Sequence, residues 1–378
     1  MIASSKATHV ATFTFIAFSL ASANILSTRT TSAHTSRSSK PNVCGHDGRT
    51  RVLVTGVSGM IGSHVARHLV TDPCVDVHGL IRWRSDLSSL NGILHKIKTV
   101  YGDITDSVTM RSVLDTVKPH YIYHFAAQAI NSVSYASPEL TTQVNVMGTL
   151  NLFESMRALN MTHTRFLLAG SSTEYGKTCD LWPGPVPETA PMEPVSPYGA
   201  SKVASEMLAR QYHNAFGLHV IIARFFIQVG VGGTDTLAIH EFCKQIAMIE
   251  RGLQEPVLSH GNIDSLRDMT DARDSASVVV QLAKKGVAGE AYNVGSGHAM
   301  SIRDLLTTAV SLSNASTKIQ LRSDTSKFRP YDEKVLLADV TKLTELTGWV
   351  PKTDMRETVQ SILDYWRLKV HSMYGNDL

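Results

Sequence analysis

Short apolar runs alternate with helix-length amphipathic segments through the first two thirds of the chain. Runs rich in β-branched and aromatic residues predict six strands, at RVLVTG (51–56), VDVHGLIR (75–82), TVYGD (99–103), YIYHFAA (121–127), RFLLAGSS (165–172) and HVIIARFF (219–226). Apolar residues at helical spacing predict helices that include MIGSHVARHLV (60–70), VNVMGTLNLFESMRAL (144–159) and SKVASEMLARQYHNAF (201–216). Strands that alternate with helices need crossover connections, so they form a parallel sheet covered on both faces. We predict an α/β fold with a doubly wound parallel sheet.

The alternation becomes irregular beyond residue 226, where loops are longer. A chain of 378 residues that is 43% hydrophobic can bury the core of one large domain or two coupled ones. We therefore predict a sheet domain at 47–226 and a smaller domain at 227–378 that is partly interleaved with it. Residues 1–46 are set apart as a leader.

The leader has its own composition. Lys6 precedes an uncharged run at 10–23 that ends in Ala21-Ser22-Ala23, a pattern typical of a signal-peptide cleavage site. Those 14 residues are fewer than the about 20 that a membrane span needs, so no stable span is expected. The acid-free, Ser/Thr-rich stretch at 24–40 is typical of organelle transit peptides. We expect targeting to the secretory pathway or a plastid; the alternative is a disordered tail on a cytoplasmic protein.

Charge and cysteine usage exclude some classes of function. The formal net charge is +3, but the leader carries four basic residues and no acid, which leaves 32 basic against 33 acidic residues in the body. A near-neutral body gives no reason to expect a nucleic-acid partner. The cysteines are widely spaced and include no CxxC pair, so neither a zinc site nor a disulfide framework is predicted; they are Cys44, Cys74, Cys179 and Cys243.

A glycine-rich turn follows the first predicted strand and opens the first predicted helix (TGVSGMIG, 55–62). In this context Gly56 permits a tight turn, Gly59 lets the backbone approach a pyrophosphate, and Gly62 allows close packing of helix on strand. The helix N-terminus favours negative charge. The pattern predicts a dinucleotide (Rossmann) site whose cofactor-binding residues are Gly56, Ser58, Gly59, Met60, Ile61 and Gly62.

The end of the second strand indicates which dinucleotide binds. Sites that prefer NAD often carry a carboxylate there for the ribose 2′-hydroxyl, whereas an arginine accommodates a 2′-phosphate. This chain has Arg82 and Arg84, and no acid before Asp86. We predict NADP(H), with NAD(H) as the alternative.

Three residues carry candidate catalytic chemistry. Tyr198 and Lys202 lie four apart at the start of a predicted helix, so they project from one face. A neighbouring ammonium favours the phenolate, and we expect Lys202 to lower the pKa of Tyr198 and make an acid/base pair. Ser171 ends the fifth strand, at the carboxyl edge where doubly wound sheets bind ligands, and can hydrogen-bond a substrate carbonyl.

The turn, the Ala-Ala-Gln at 126–128, the serine and the YxxxK pair resemble the extended short-chain dehydrogenase/reductase superfamily. Within it, the chain is similar to GDP-4-keto-6-deoxy-D-mannose reductases and GDP-mannose 4,6-dehydratases. The likeness lies in HGLIRWRS (78–85), GSSTEYG (170–176), SPYGASKVASEMLARQYH (196–213), EFCKQIAMIE (241–250), EPVLSHGN (255–262), LRDMTDARD (266–274), YNVGSG (292–297) and FRPYDE (328–333).

The resemblance implies further site residues and partners. The implied cofactor contacts, besides Tyr198 and Lys202, are Asp103, Ala126, Ala127 and Gln128. The implied contacts to a nucleotide-sugar substrate are Gln128, Ser172, Arg267 and Arg329. It also implies a homodimer or tetramer built on the helices near 144–159 and 198–213, and no metal.

The residues before Tyr175 bear on the choice of reaction. Dehydratases of this superfamily carry an acid where this chain has Thr173, and in a strand-like segment Glu174 would point the opposite way. We therefore predict reduction of the C4 ketone of a GDP-4-keto-6-deoxyhexose. The alternatives are a GDP-mannose 4,6-dehydratase, an NAD-dependent nucleotide-sugar 4-epimerase, and a non-catalytic NAD(P)-binding regulator. The family asparagine that helps hold the nucleotide-sugar is Ile227 here, which leaves the sugar open.

Overall fold

The computed structural model describes residue 44 and residues 48–375. The predicted leader therefore lies, apart from Cys44, outside the described residues. The strands, in chain order, are β1 (Thr50–Thr55), β2 (Val75–Ile81), β3 (Lys98–Tyr101), β4 (Tyr121–His124), β5 (Arg165–Ser171), β6 (His219–Phe225), β7 (Ile227–Val229), β8 (Val257–His260), β9 (Leu266–Asp271), β10 (Ala291–Val294), β11 (Ala299–Ser301), β12 (Gln320–Ser323) and β13 (Val335–Leu336).

The helices of the described residues fall between and after these strands. In chain order they are α1 (Met60–Leu69), α2 (Ser107–Val117), α3 (Asn131–Ala136), α4 (Pro138–Thr142), α5 (Gly148–Ala158), α6 (Thr178–Leu181), α7 (Pro197–Phe216), α8 (Ala238–Glu250), α9 (Ala272–Lys285), α10 (Ile302–Ser311), α11 (Thr341–Thr347) and α12 (Met355–Tyr374). A π-helical segment, Gln143–Met147, joins α4 to α5. No helix of the described residues is long and apolar enough to cross a membrane.

Seven strands form one parallel sheet in the order β10-β6-β5-β4-β1-β2-β3. The predicted doubly wound α/β fold is confirmed. Successive residues of a strand point to opposite faces, so a strand that is apolar throughout needs cover on both. In β1, Val52 and Val54 pack in a core with α1 and α9, whereas Leu53 packs on the other face with α2 and α5.

The rest of the chain builds a smaller region. Strands β11, β9 and β13 form a second sheet that β7 joins through β9, and β8 pairs with β12. Helices α8, α10 and α12 pack around a separate apolar core beside them. Strand β10 and helix α9, which lie beyond residue 226, nevertheless complete the large sheet and its cover. The division at residue 226 stays a prediction, and β10 is the one strand of the large sheet that the sequence pattern did not predict.

Candidate active site

The turn after β1 has no room for side chains at two of its glycines. Gly56 has φ +66°, a conformation that favours glycine, and a Cβ there would lie 2.6 Å from the backbone nitrogen of Ala126. A Cβ on Gly62 would lie 2.2 Å from the carbonyl oxygen of Gly56. Any larger residue at either position would therefore push α1 or the β4 end away from the turn.

The same turn presents backbone donors. Gly59 is the N-cap of α1 and provides no side-chain hydrogen bond to the helix. The first N–H groups of a helix have no partner within it, and together with the helix dipole they form an anion site. Ser58, Met60 and Ile61 are half-buried around this N-terminus. The turn thus fits the pyrophosphate of a dinucleotide, with residues 56–62 as the cradle.

Arg82 and Arg84 lie just beyond the end of β2, the strand next to β1. Both are exposed, and neither guanidinium makes an ion pair or hydrogen bond with another described residue. Asp103, beyond β3, accepts hydrogen bonds from the Thr105 backbone (3.0 Å) and hydroxyl (2.8 Å). The two arginines are therefore available to an anionic ligand at the sheet edge, while Asp103 shapes its own loop.

Residues 126–128 follow β4 across from the glycine turn. The Ala126 N–H donates to the Thr55 hydroxyl at 3.2 Å. The Gln128 side chain bonds back to Ile130, accepting its N–H at 2.6 Å and donating to its carbonyl at 3.1 Å. Gln128 therefore shapes the loop in this structure, and its contacts with cofactor and substrate stay predictions.

Asn145, which the sequence analysis did not single out, joins this loop to α7. Its side chain donates to the Gln128 carbonyl (3.0 Å) and the Ser201 hydroxyl (2.9 Å), and accepts the Gln128 N–H (2.8 Å). It lies in the π-helical segment, and such segments frequently occur at functional sites. The available signal was a polar residue on the buried face of an otherwise apolar helix.

The structure brings Ser171, Tyr198 and Lys202 together. Ser171 is the last residue of β5, and its side chain lies near enough to Tyr198 to act on the pKa of the phenol. Lys202 donates from Nζ to the Ala169 carbonyl at 2.7 Å, and its Nζ lies 5.8 Å from the centroid of the Tyr198 ring. Ser196 caps α7 by accepting the Gly199 N–H at 3.1 Å, which fixes the first turn that carries Tyr198.

The pKa of Tyr198 lies on the opposite side of its ordinary value from the one that the sequence predicted. Burial raises the pKa of Tyr198 to about 12, and only the neighbouring Ser171 side chain acts to lower it. Burial lowers the pKa of Lys202 to about 8. The predicted net lowering of the Tyr198 pKa is wrong for this structure, because the Lys202 ammonium is bonded to the Ala169 carbonyl and desolvation of the phenolate has the larger effect. Tyr198 is therefore a protonated phenol at neutral pH.

The residues before Tyr175 form a turn, not the strand that the sequence suggested. Ser172–Glu174 is a 3-10 turn capped by Ser171. Thr173 stands beside the site, with its hydroxyl donating to the Ser171 hydroxyl at 2.9 Å. Glu174 is completely buried. At the position of the dehydratase acid, this chain therefore has the hydroxyl group of Thr173. The carboxyl group of the next residue, Glu174, is buried.

The predicted substrate arginines lie close to one carboxylate. Arg267 is buried and donates from Nη2 to Asp332 at 2.6 Å. Arg329 is half exposed, with its Nη1 3.9 Å from the same Asp332 carboxylate. A diphosphate would have to share or displace these pairs. Ser172 is buried within the turn, so its predicted contact with substrate also stays a prediction.

The departure at Ile227 falls on β7. Gln228, the next residue, pairs in register with Thr270 of β9. The Gln228 Oε1 and the Thr270 hydroxyl are both buried with no hydrogen-bond partner among the described residues. Buried polar groups normally have hydrogen-bond partners. These two groups can therefore still hydrogen-bond a ligand, even though the family asparagine is absent.

The chain is similar to proteins of known name over most of its length. The profile of the GDP-mannose 4,6 dehydratase family matches residues 53–362. A GDP-6-deoxy-D-mannose reductase of Pseudomonas aeruginosa is 29% identical over 85% of this chain and 98% of its own. GDP-mannose 4,6 dehydratase 1 of Arabidopsis thaliana is 30% identical over 84% of this chain and 89% of its own.

A solved structure agrees with these relatives. The structure of RMD from Pseudomonas aeruginosa, complexed with NADPH, is 27% identical and matches with a TM-score of 0.72 over 85% of this chain and 98% of that one. The predicted resemblance is therefore confirmed, both in sequence and in fold. The chain belongs to the GDP-mannose 4,6 dehydratase family.

Proposed function

We propose that this protein reduces the C4 ketone of a GDP-4-keto-6-deoxyhexose with NADPH. The observation that carries the proposal is a complete Ser171, Tyr198 and Lys202 group beside Thr173, with the nearest carboxylic side chain, Glu174, completely buried. A ketone reduction needs a proton donor and a carbonyl ligand, which are present. Elimination across C5 and C6 needs an acid at the sugar, and the position for it holds a hydroxyl.

Ser171, Tyr198 and Lys202 would each act on the ketone oxygen or on the proton that it receives. Bound NADPH supplies the hydride. Ser171 would donate a hydrogen bond to the carbonyl oxygen, and Tyr198, protonated at neutral pH, would give its proton to the same oxygen. Lys202, whose pKa near 8 leaves it charged at pH 7, would stabilise the resulting phenolate. The glycine turn at 56–62 would hold the pyrophosphate.

The test offers the purified protein two substrates with NADPH. We expect consumption of NADPH with the 4-keto-6-deoxy sugar linked to GDP, and none with GDP-mannose. Formation of the keto-sugar from GDP-mannose would make the protein a dehydratase. The 30% identity to GDP-mannose 4,6 dehydratase 1 makes that the second candidate. Interconversion of two 4-hydroxy sugars with no net change in the cofactor would make it an epimerase, and binding without turnover a regulator.

Arg82 and Arg84 predict a preference for NADPH over NADH. Both guanidinium groups are exposed and unpaired within the described chain, so each can hydrogen-bond a 2′-phosphate. Changing both to serine should weaken NADPH binding by about 10–100-fold, which corresponds to the loss of one or more hydrogen bonds from a charged donor. NADH binding should stay nearly unchanged. Fluorescence titration of both cofactors measures this. Tighter NADH binding by the unchanged protein would contradict the assignment.

We propose a homodimer, or a dimer of dimers, formed through α5 and α7. Apolar side chains lie exposed on the segments that lead into and form these helices, among them Leu140, Met147 and Met207. A surface of this kind is typical of subunit contacts. Light scattering should give a dimer or tetramer mass, and Met207→Glu should lower that mass. Met373→Glu, which changes an exposed residue near the end of α12, should not. A monomer mass for the unchanged protein would reject the proposal.

For the leader, we propose removal during targeting to the secretory pathway or a plastid. The pattern Ala21-Ser22-Ala23 after the apolar run supports it. N-terminal sequencing of the native protein should begin near Asn24 or further along the chain. An intact Met1 would contradict processing and favour a cytoplasmic location.

A further inference from the structure

Two buried carboxyl groups lie directly behind the catalytic group. Glu174, from the turn after β5, and Glu206, from α7, are both completely buried. Arg224, in β6, is 1% exposed and contacts both, with Nε 2.9 Å from Glu206 Oε2 and 3.7 Å from Glu174 Oε2. One buried guanidinium thus lies between two carboxyl groups.

The hydrogen bonds of Arg224 go to groups other than Glu174. Nε and Nη2 bind the Glu206 carboxylate as a fork, at 2.9 and 2.6 Å. Nη1 donates to the Tyr175 hydroxyl at 2.8 Å and the Glu188 carbonyl at 2.9 Å, and Nη2 also reaches the Met192 sulfur at 3.4 Å. A guanidinium has five N–H groups, and all five are now accounted for.

Glu174 is therefore left with one satisfied oxygen. Oε1 accepts the Ser171 N–H at 2.6 Å, whereas Oε2 has no hydrogen-bond partner among the described residues. Burial, and then the nearby charge of Glu206, raise the pKa of Glu174 well above its usual value. Burial acts to raise the pKa of Glu206 as well, but the fork from Arg224 holds it below its usual value. A proton on Glu174 Oε2 would turn this oxygen into a donor toward Glu206.

We propose that Glu174 is a positioning residue for the reduction: at neutral pH it is a neutral carboxylic acid that accepts the backbone N–H of Ser171 and donates a hydrogen bond to Glu206. This inference rests on the proposed function for its effect on turnover. The protonation state and the contact with Ser171 are properties of the protein without substrate.

The neutral form matters because charged and titratable groups face Glu174 from each neighbouring element. Ser171 approaches from β5, Arg224 from β6, and Glu206, Tyr198 and Lys202 from α7. A negative charge on Glu174 would raise the pKa of both Tyr198 and Lys202. Without that charge, Tyr198 is the stronger proton donor.

Gly170 makes the arrangement possible. A Cβ at this position would lie 2.7 Å from Glu174 Oε1 and 3.3 Å from the Arg224 side chain. Only glycine lets the carboxyl group approach the Ser171 N–H behind the strand end. The position of the catalytic serine thus depends on a residue that does not touch the substrate.

The first test is infrared spectroscopy of the protein at pH 7 without substrate. A protonated carboxylic acid has a C=O stretch distinct from carboxylate bands, and it shifts in D₂O. We expect this band in the wild type and its loss in Glu174→Gln. The band should persist in Glu154→Gln, because the wild-type Glu154 is a surface carboxylate that pairs with Arg157. Absence of the band, or its survival in Glu174→Gln, would overturn the proposal. A protein with the band that fails to reduce the keto-sugar would refute only the proposed function.

The second test is the pH profile of turnover between pH 6 and 9. Glutamine is neutral and keeps both hydrogen-bonding roles, so Glu174→Gln should stay within about threefold of wild type with an unmoved alkaline limb. If Glu174 were ionised in the wild type, Glu174→Gln would remove a negative charge that stabilises the Lys202 ammonium. The alkaline limb of the pH profile would then lie at lower pH in the variant than in the wild type. Glu174→Met, which cannot accept the Ser171 N–H, should lose about tenfold in kcat with cofactor affinity unchanged. Wild-type kcat in Glu174→Met would contradict the positioning role.

Discussion

Replacing Tyr198 by phenylalanine is expected to lower turnover of the keto-sugar by about 10²–10⁴-fold, because the variant lacks the positioned proton donor. The ring itself is retained, so packing at the start of α7 should not change. Cofactor affinity should stay within about twofold, since the glycine turn and the helix N-terminus hold the pyrophosphate. Stopped-flow measurement of NADPH oxidation, with a parallel fluorescence titration, gives both quantities.

Tyr212→Phe is the matched control for this variant. It lies on the same helix, and its hydroxyl bonds to Glu154 away from the catalytic group. Turnover of Tyr212→Phe should be close to wild type. If Tyr198→Phe retained more than about a tenth of the wild-type rate, another group would have to donate the proton, and the assignment of Tyr198 would fail.

Replacing Arg224 by methionine is expected to cost about 3–5 kcal/mol in the free energy of unfolding, because it leaves the buried Glu206 carboxylate without its principal partner. Urea unfolding at pH 7 measures the loss. The pKa of Glu206 is held below its usual value, so the stabilisation from this pair is present above the unfolded-state pKa of about 4.3 and is lost as the pH falls through the folded-state pKa. The difference between variant and wild type should therefore narrow in acid.

The control for Arg224 is the second arginine on the same carboxylate. Arg210 reaches Glu206 at 2.9 Å from a side chain that is about one third exposed. Arg210→Met should cost only about 1 kcal/mol or less, as partly solvated pairs do. Equal losses in the two variants would mean that Arg224 is not the principal partner of Glu206.

Local patterns predicted the large sheet well and its last strand poorly. In β1, β5 and β6 the apolar runs are long, because both faces of a central parallel strand are covered. The edge strand β10 has only four residues, too few for a local pattern to separate it from a loop. Its place beside β6 is decided by packing across more than 60 residues of intervening chain.

In the candidate site, too, the sequence predicted what depends on neighbouring residues and missed what depends on distant ones. Gly56 and Gly62 could be assigned from their spacing, because a turn between strand and helix needs them for steric reasons. Glu174 could not, since its role depends on Arg224 and Glu206, which approach from other elements. The alternation argument for Glu174 assumed a strand, whereas Ser171 caps a turn there. The pKa of Tyr198 likewise follows from burial, which sequence does not reveal.

The most direct test of the account is isotopic. The GDP-linked 4-keto-6-deoxyhexose is incubated with NADPH that carries deuterium at the transferred position, and the product is analysed by NMR. Reduction by the group of Ser171, Tyr198 and Lys202 predicts deuterium at C4 of the product hexose, with one NADPH consumed for each sugar. A product formed from GDP-mannose with no label from NADPH, and with solvent deuterium at C5 when the reaction is run in D₂O, would contradict it and identify a dehydratase.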